Sequence, residues 1–398
     1  MRFSGFVDRI AGEGAEAWAI HFAATEAARR GEDVIMLTIG DPDFATPEHI
    51  IDAAVAALRA GDTHYTDIPG TPKFRQAVAR HFQALTGVPT APANVCAFAG
   101  TQNALFATAL CIAEPGDEII VLEPMYVTYE ATVGATGARL VRVPQPASLG
   151  FRVDAGALAR AITARTRAIV FATPNNPTGA MASRSDLQAI ANLAIKHDLW
   201  VVSDEVYAEI TYDAEHVSIA SLPGMTERTV TVSSLSKSHA MPGWRAGWAI
   251  APEALIAHYL NLSMAMLYGL PGFIQQAAVE ALDAGAADVD RMRAIYRSRR
   301  DLMYAALSGV PGLACKKPQG GMFMLVNPTG TGLSAGDYAW QLFRETGVAV
   351  LDASPFGPSA KGYLRVSFTM DEGSLAEACK RMKSFTERLM AKQRLSVA

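Results

Sequence analysis

Between residues 94 and 251 short apolar runs alternate with stretches whose apolar residues recur at helical spacing. The runs are "NVCAFAG" (94–100), "EIIVLEP" (118–124), "RLVRVP" (139–144), "RAIVFATP" (167–174), "LWVVSDEVY" (199–207), "TVTVSSLS" (229–236) and "AGWAIA" (246–251). "QNALFATALCIA" after the first run and 183–197 after the fourth read as helices. Strands that alternate with helices predict an α/β fold with a mostly parallel sheet covered on both faces. Several of these runs end in polar or glycine-containing groups: Gly100-Thr101, Pro174-Asn175-Asn176, Asp204-Glu205 and Ser234-Leu235-Ser236. In such sheets a ligand sits beyond the carboxyl ends of the strands, so these groups are expected to converge.

The flanks read differently. "TPEHIIDAAVAALRAG" (46–61) predicts a helix with Thr46 as N-cap, Pro47 at its first position and Gly61 past its end. "TPKFRQAVARHFQALTG" (71–87) repeats that pattern. Beyond about residue 290, helical stretches alternate with the short strands "GMFMLVN" (321–327), "GVAVLD" (347–352) and "GYLRVSF" (362–368). They predict a second, smaller α/β domain completed by the N-terminal segment. The expected division is 46–290 as the large domain, and 1–45 with 291–398 as the small one.

Composition narrows the function classes. The 398 residues are 50% hydrophobic, enough for a large core. A net charge of −4 gives no footprint for nucleic acid. Cys96, Cys111, Cys315 and Cys379 form no metal spacing and read as thiols in a reducing compartment. The first residues lack the apolar core and cleavage site of a signal peptide, so a cytoplasmic location is expected. Residues 254–279 carry no Asp, Glu, Lys or Arg, but a Pro-Gly and several polar residues interrupt them. Core packing or a subunit interface fits that segment better than a membrane span.

Five short motifs carry candidate chemistry. In "SSLSKSHAMPGWRAGW" (233–248), Lys237 is either a surface charge or an amine that condenses with an aldehyde. Ser234, Ser236 and Arg245 suit a phosphate, with Pro242-Gly243 turning the chain back. "AGTQNALF" (99–106) is a glycine-threonine turn that opens a helix, an anion site or an ordinary cap. Asp204 in "SDEVY" needs a partner if buried, and a protonated pyridine nitrogen is one; capping the next turn is the other reading. Tyr207 follows three residues on. Asn176 in "TPNNPTG" is a turn residue or a hydrogen-bond donor to a cofactor oxygen. Arg365 interrupts an apolar strand, as half of a buried ion pair or as a clamp for a carboxylate. The histidines, including His21, His64 and His239, are given no catalytic role.

Taken together, the five motifs resemble the class I pyridoxal-phosphate-dependent aminotransferases, of the fold type shared by aspartate aminotransferases. The likeness runs from "IGDPDFATP" (39–47) to Arg365 and centres on Ser234-Leu-Ser236-Lys237…Pro242-Gly243-Trp-Arg245-Ala-Gly247. It implies pyridoxal 5′-phosphate as cofactor, bound through Lys237, which also moves the substrate proton. It implies Asp204 on the ring nitrogen, Asn176 and Tyr207 on the phenolic oxygen, and Tyr126 against the ring. Gly100, Thr101, Gln102, Ser234, Ser236 and Arg245 would hold the phosphate, joined by Tyr65 from a neighbouring subunit. Arg365 would clamp the substrate carboxylate, with Gly40 and Asn176 beside it. A homodimer with shared sites follows, acting on amino acids and 2-oxo acids, without nucleic acid, membrane or metal.

The likeness narrows further towards transaminases that pair arginine with pyruvate, over "RIAGEGAEAW" (9–18), "PGDEIIVLEPMYVTYEA" (115–131), "HDLWVVSDEVY" (197–207), "SLSKSHAM" (234–241) and "MLYG" (266–269). Gln102 stands where an aspartate-type subgroup carries a lysine, which argues against acidic substrates. A cationic substrate wants an acid, for which Asp67, Glu13 and Glu16 are candidates. The alternatives are aspartate or aromatic aminotransferase activity, and β-elimination at a C–S bond on the same core. A regulator would need a DNA-binding module, and no basic helix supplies one.

Overall fold

The computed structural model describes residues 1–11 and 18–397. Glu13 and Glu16 lie outside the described residues. All seven central runs form strands of one sheet. Its order is Val95–Phe98, Gly247–Ile250, Thr229–Ser234, Trp200–Asp204, Thr166–Ala172, Glu118–Glu123, Arg139–Pro144. Every pairing is parallel except the two made by Gly247–Ile250. The central strands are apolar at nearly every position because helices cover both faces. On one face Val121, Val170 and Val202 pack with Leu105 of helix Thr101–Ile112 and Tyr259 of helix Glu253–Met266. On the other, Ile120, Ile169 and Val201 pack against Leu187 and Ile190 of helix Arg184–His197.

The C-terminal strands form a separate antiparallel sheet in the order Leu351–Asp352, Leu364–Ser367, Phe323–Asn327, Ala314–Cys315. The run at 347–352 is split between two sheets. Val348–Ala349 pairs in parallel with Ile35–Met36, while Leu351–Asp352 joins the antiparallel sheet. Ile20, Ile35 and Leu37 enter one core with Tyr338, Leu342, Val366 and Phe385, so the N-terminal segment packs with the C-terminal third.

Helix caps show where neighbours override local signals. Thr71 caps helix Pro72–Thr86 by accepting from the Phe74 amide, and Gly87 ends it in the left-handed region, as its sequence predicts. Thr46 does not cap its helix, which spans Glu48–Arg59. Its hydroxyl donates instead to the Ala240 carbonyl at 2.7 Å and accepts from the Trp244 indole at 3.0 Å, so it ties down the segment after Lys237. Among the described residues, no helix is long and apolar enough to cross a membrane.

Candidate active site

A cavity of about 200 Å³ opens beyond the carboxyl ends of the parallel strands. Gly40, Thr101, Gln102, Tyr126, Asn176, Asp204, Tyr207, Ser234, Ser236, Lys237, Arg245 and Arg365 all line it. Two expected residues do not. Gly100 sits just behind the wall, and Tyr65 lies elsewhere, 86% exposed and edge-to-face with Tyr268 at 5.0 Å.

Lys237 rides on a four-residue helical turn, Leu235–Ser238, that leaves strand Thr229–Ser234. Its Nζ donates to the Gly40 carbonyl at 2.7 Å. Burial lowers its pKa to about 8; Asp41 opposes that shift, and the cations of Arg365 and Arg245 add to it. A substantial neutral fraction at neutral pH is what a nucleophilic amine needs.

Asp204 ends a buried strand and is 5% exposed. Burial raises its pKa to about 6, against hydrogen bonds from Tyr129 and the Val206 amide. Tyr129 donates to Oδ2 at 2.7 Å, and the Val206 amide to Oδ1 at 3.2 Å. Among the described residues the carboxylate has donors but no cation, so a protonated ring nitrogen would find an electrostatically favourable seat. The turn-cap reading holds in part, since the Val206 bond is such a contact.

The anion end is built from glycine and hydroxyls. Gly100 has φ +86, and a Cβ there would lie 2.4 Å from Arg245 Nη2. A Cβ on Gly247 would lie 2.7 Å from Gly100. The two glycines therefore let Arg245 and strand Gly247–Ile250 close on the start of helix Thr101–Ile112, whose first amides have no carbonyl behind them. Thr101 Oγ1 bonds Ser234 Oγ at 3.0 Å. The Gln102 side chain bonds Thr128 and Thr132, which leaves its backbone amide for a ligand.

Arg365 is 1% exposed, yet no carboxylate among the described residues pairs with it. Nη1 donates to Asn176 Oδ1 at 3.2 Å and Nη2 to the Thr38 carbonyl, while Nε has no partner. Its guanidinium lies 4.1 Å from the Phe323 ring centre, 4.8 Å from Phe356 and 5.7 Å from Trp18. Burial lowers its pKa to about 10. The ion-pair reading is therefore overturned: this is a desolvated cation in want of an anion. Gly40 faces it across a tight wall, where a Cβ would lie 2.3 Å from Phe323 Cζ.

Several lining residues carried no readable signal. Tyr129 looks like any core tyrosine in a helix until its hydroxyl is seen on Asp204. Trp18 and Phe323 are remote in sequence and join only through the fold. Asp67 is exposed, its backbone carbonyl takes the Gly70 amide at 2.9 Å, and it lies outside the cavity.

Comparisons with known proteins identify the family and the fold. The family model for aminotransferase class I and II matches residues 32–382. The chain is 50% identical over 382 residues to an arginine–pyruvate transaminase of Pseudomonas aeruginosa, covering 96% of this chain and 97% of that one. It is 37% identical to an aromatic-amino-acid aminotransferase of Thermococcus litoralis, over 88% and 91% of the two chains. An aspartate aminotransferase from Thermus thermophilus, solved with maleate, superposes with a TM-score of 0.91 at 36% identity, over 96% of this chain and 100% of that one.

Proposed function

The chain belongs to the class I and II aminotransferases, and on that premise we propose that it transfers the amino group of L-arginine to pyruvate with pyridoxal 5′-phosphate. The observation that carries the chemistry is one cavity joining a lysine of lowered pKa, a carboxylate with no cation and an arginine with no carboxylate partner among the described residues. The choice of donor is supported by the 50% identity to the arginine–pyruvate enzyme.

When bound, the cofactor supplies an aldehyde that captures the donor amine and a ring that takes up the electron pair released from the Cα–H bond. The residues present fit that group, because Asp204 has no cation among the described residues, and Arg245, Thr101 and Ser234 line the same cavity at the start of helix Thr101–Ile112. Asp204 keeps a proton on the ring nitrogen, with Tyr129 fixing its carboxylate. Asn176 and Tyr207 would bond the phenolic oxygen, and Tyr126 would pack against the ring. Gly100, Thr101, Gln102, Ser234, Ser236 and Arg245 hold the phosphate. Arg365 takes the substrate carboxylate, with Asn176 and Gly40 beside it, and so aims the Cα–H bond. Lys237 Nζ removes that proton and returns it.

The working unit in this reading is a cytoplasmic homodimer. Residues 46–290 form its cofactor domain, and 1–45 with 291–398 a smaller one. The exposed Tyr65 and Tyr268, beside the half-exposed Met264, support a subunit contact that carries Tyr65 to the partner's cavity. Asp67, exposed two residues on, would then meet the cationic end of arginine. Asp67→Asn is expected to raise the KM for arginine about fivefold with kcat kept; an unchanged KM removes Asp67 from the substrate site. The function itself is tested by an amino-donor screen with pyruvate and 2-oxoglutarate. Keto acid formed from arginine and pyruvate supports it, whereas pyruvate and ammonia from a cysteine conjugate would favour the eliminating chemistry.

A further inference from the structure

The segment that follows Lys237 is conformationally costly. Ala240 has φ 51 and Arg245 φ 57, both left-handed and neither glycine. Each is disfavoured relative to ordinary backbone. Something must hold this segment, and Thr46 on the Ala240 carbonyl is one anchor. A second lies in a polar cluster behind the lysine that the chemistry above does not use.

Ser238 and His239 are 3% and 1% exposed, and Ser238 Oγ lies 2.8 Å from His239 Nδ1. A Cβ on Gly285 would lie 2.4 Å from the Ala281 carbonyl oxygen and 2.9 and 3.1 Å from Cδ2 and Nε2 of the ring, so the ring packs at the end of helix Gly272–Ala284 beside that carbonyl. With Nδ1 engaged by Ser238, the nitrogen on that side is Nε2. Ser238 also helps to hold the buried Glu209 carboxyl low, and Glu209 pairs with His81 of helix Pro72–Thr86 at 3.4 Å. Burial alone would push the Glu209 carboxyl up, yet its bonds from His81 and Ser238 hold it at about 2. The charged groups acting on His239 are Glu209, His81 and Asp288. Asp288 is in turn bonded by His49 and Arg291, and His49 by Glu280; Arg293 donates to the Glu209 carbonyl.

We propose that Ser238 and His239 form a latch that positions Lys237, tying the end of its helical turn to helix Gly272–Ala284 and, through Glu209 and His81, to helix Pro72–Thr86. The latch has a directional element. Ser238 has one proton and two acceptors, His239 Nδ1 and Glu209. A neutral His239 that gives its Nε2 proton to Ala281 must accept from Ser238, and Glu209 then rests on His81. A protonated His239 donates through Nδ1, and the hydroxyl turns to Glu209. Either way Ser238 stays bonded on a segment whose backbone would otherwise relax. A phenylalanine would fill the same space without fixing the turn.

The inference rests on the reading of Lys237 as the cofactor's anchor. The test compares the holoenzyme with Ser238→Ala, His239→Phe and His239→Asn, which retains an amide near the Nδ1 position. Three readouts are taken: steady-state kinetics, visible circular dichroism of the bound cofactor at matched absorbance, and the thermal midpoint. His239→Phe is expected to lower kcat about tenfold with KM within about twofold, and to weaken the visible dichroic band. His239→Asn should restore kcat to within about threefold. Ser238→Ala removes only a hydroxyl and should move kcat and the band in the same direction, which covers a poorly folding His239→Phe. A fall in thermal midpoint alone, with kcat and the band unchanged, overturns the latch. A parent enzyme with no visible band overturns the reading of Lys237 instead, so the two failures are distinct.

Discussion

Arg300 and Arg365 are each 1% exposed, and they could hardly be set more differently. Arg300 is saturated. Its Nε and Nη2 donate to Asp301 at 2.9 and 2.8 Å, both Nη groups reach Asp213, and Nη1 also takes the Pro318 carbonyl. Tyr212 lies 4.7 Å beneath it. Arg365 has one amide oxygen, one carbonyl, three aromatic rings and an idle Nε. Burial of a cation is unfavourable unless something answers it. Arg300 is answered within the chain and fastens structure. Arg365 is left to be answered by a ligand, and the same holds with opposite sign for Asp204. Unmet charge at the ends of well-packed strands is what separates the site from the scaffold.

That contrast can be broken experimentally. The largest effect is expected at the nucleophile: Lys237→Ala should abolish multiple turnover while the chain stays folded, and retained turnover would remove its role. Next come the two arginines, taken as a pair. Arg365→Lys should lower kcat/KM about a hundredfold, because an ammonium cannot match the forked contact with a carboxylate, and leave stability within about 1 kcal/mol. Arg300→Ala should do the reverse and lose about 2 kcal/mol with kcat per folded molecule kept. The loss is moderate because Asp213 and Asp301 are 54% and 45% exposed and can be resolvated. Denaturant titration and steady-state kinetics on both variants decide it, and the same profile from both would erase the distinction. The smallest effect is a pH dependence. With a pKa of about 8, the Lys237 amine is half neutral at that pH and nearly all neutral only about one unit above it. Capture of pyridoxal 5′-phosphate by the cofactor-free chain should therefore accelerate with pH, reach half its maximum near 8 and level off about one unit higher. An ordinary lysine, whose pKa is about 10.4, would keep accelerating beyond that point.

The large sheet was legible because each central strand is a compact apolar run bounded by turn residues, and all seven formed where the pattern placed them. The 347–352 run was not, since one extended stretch serves two sheets and only the partners Ile35–Met36 and Leu364–Ser367 decide the division. Ala314–Cys315 is two residues long, too short to show a period. At the site, residues at strand ends and in the turn around Lys237 could be read from local chemistry. Tyr129, Trp18 and Phe323 could not, because an aromatic in an apolar setting looks the same whether it faces core or cavity. Thr46 misled for a related reason: it has the form of a cap, but the Ala240 carbonyl lies closer to hand. His239 read as a structural residue, and its bond to Ser238 agrees with that while giving the structure a purpose.

The most direct test is the donor half-reaction. Holoenzyme mixed with L-arginine alone should lose the absorbance of its aldehyde-form cofactor and release the keto acid of arginine. Adding pyruvate should then restore the absorbance and form alanine. If no amino acid changes the spectrum, the transaminase account fails at its base. If other donors act and arginine does not, the chemistry stands and the assignment of arginine falls.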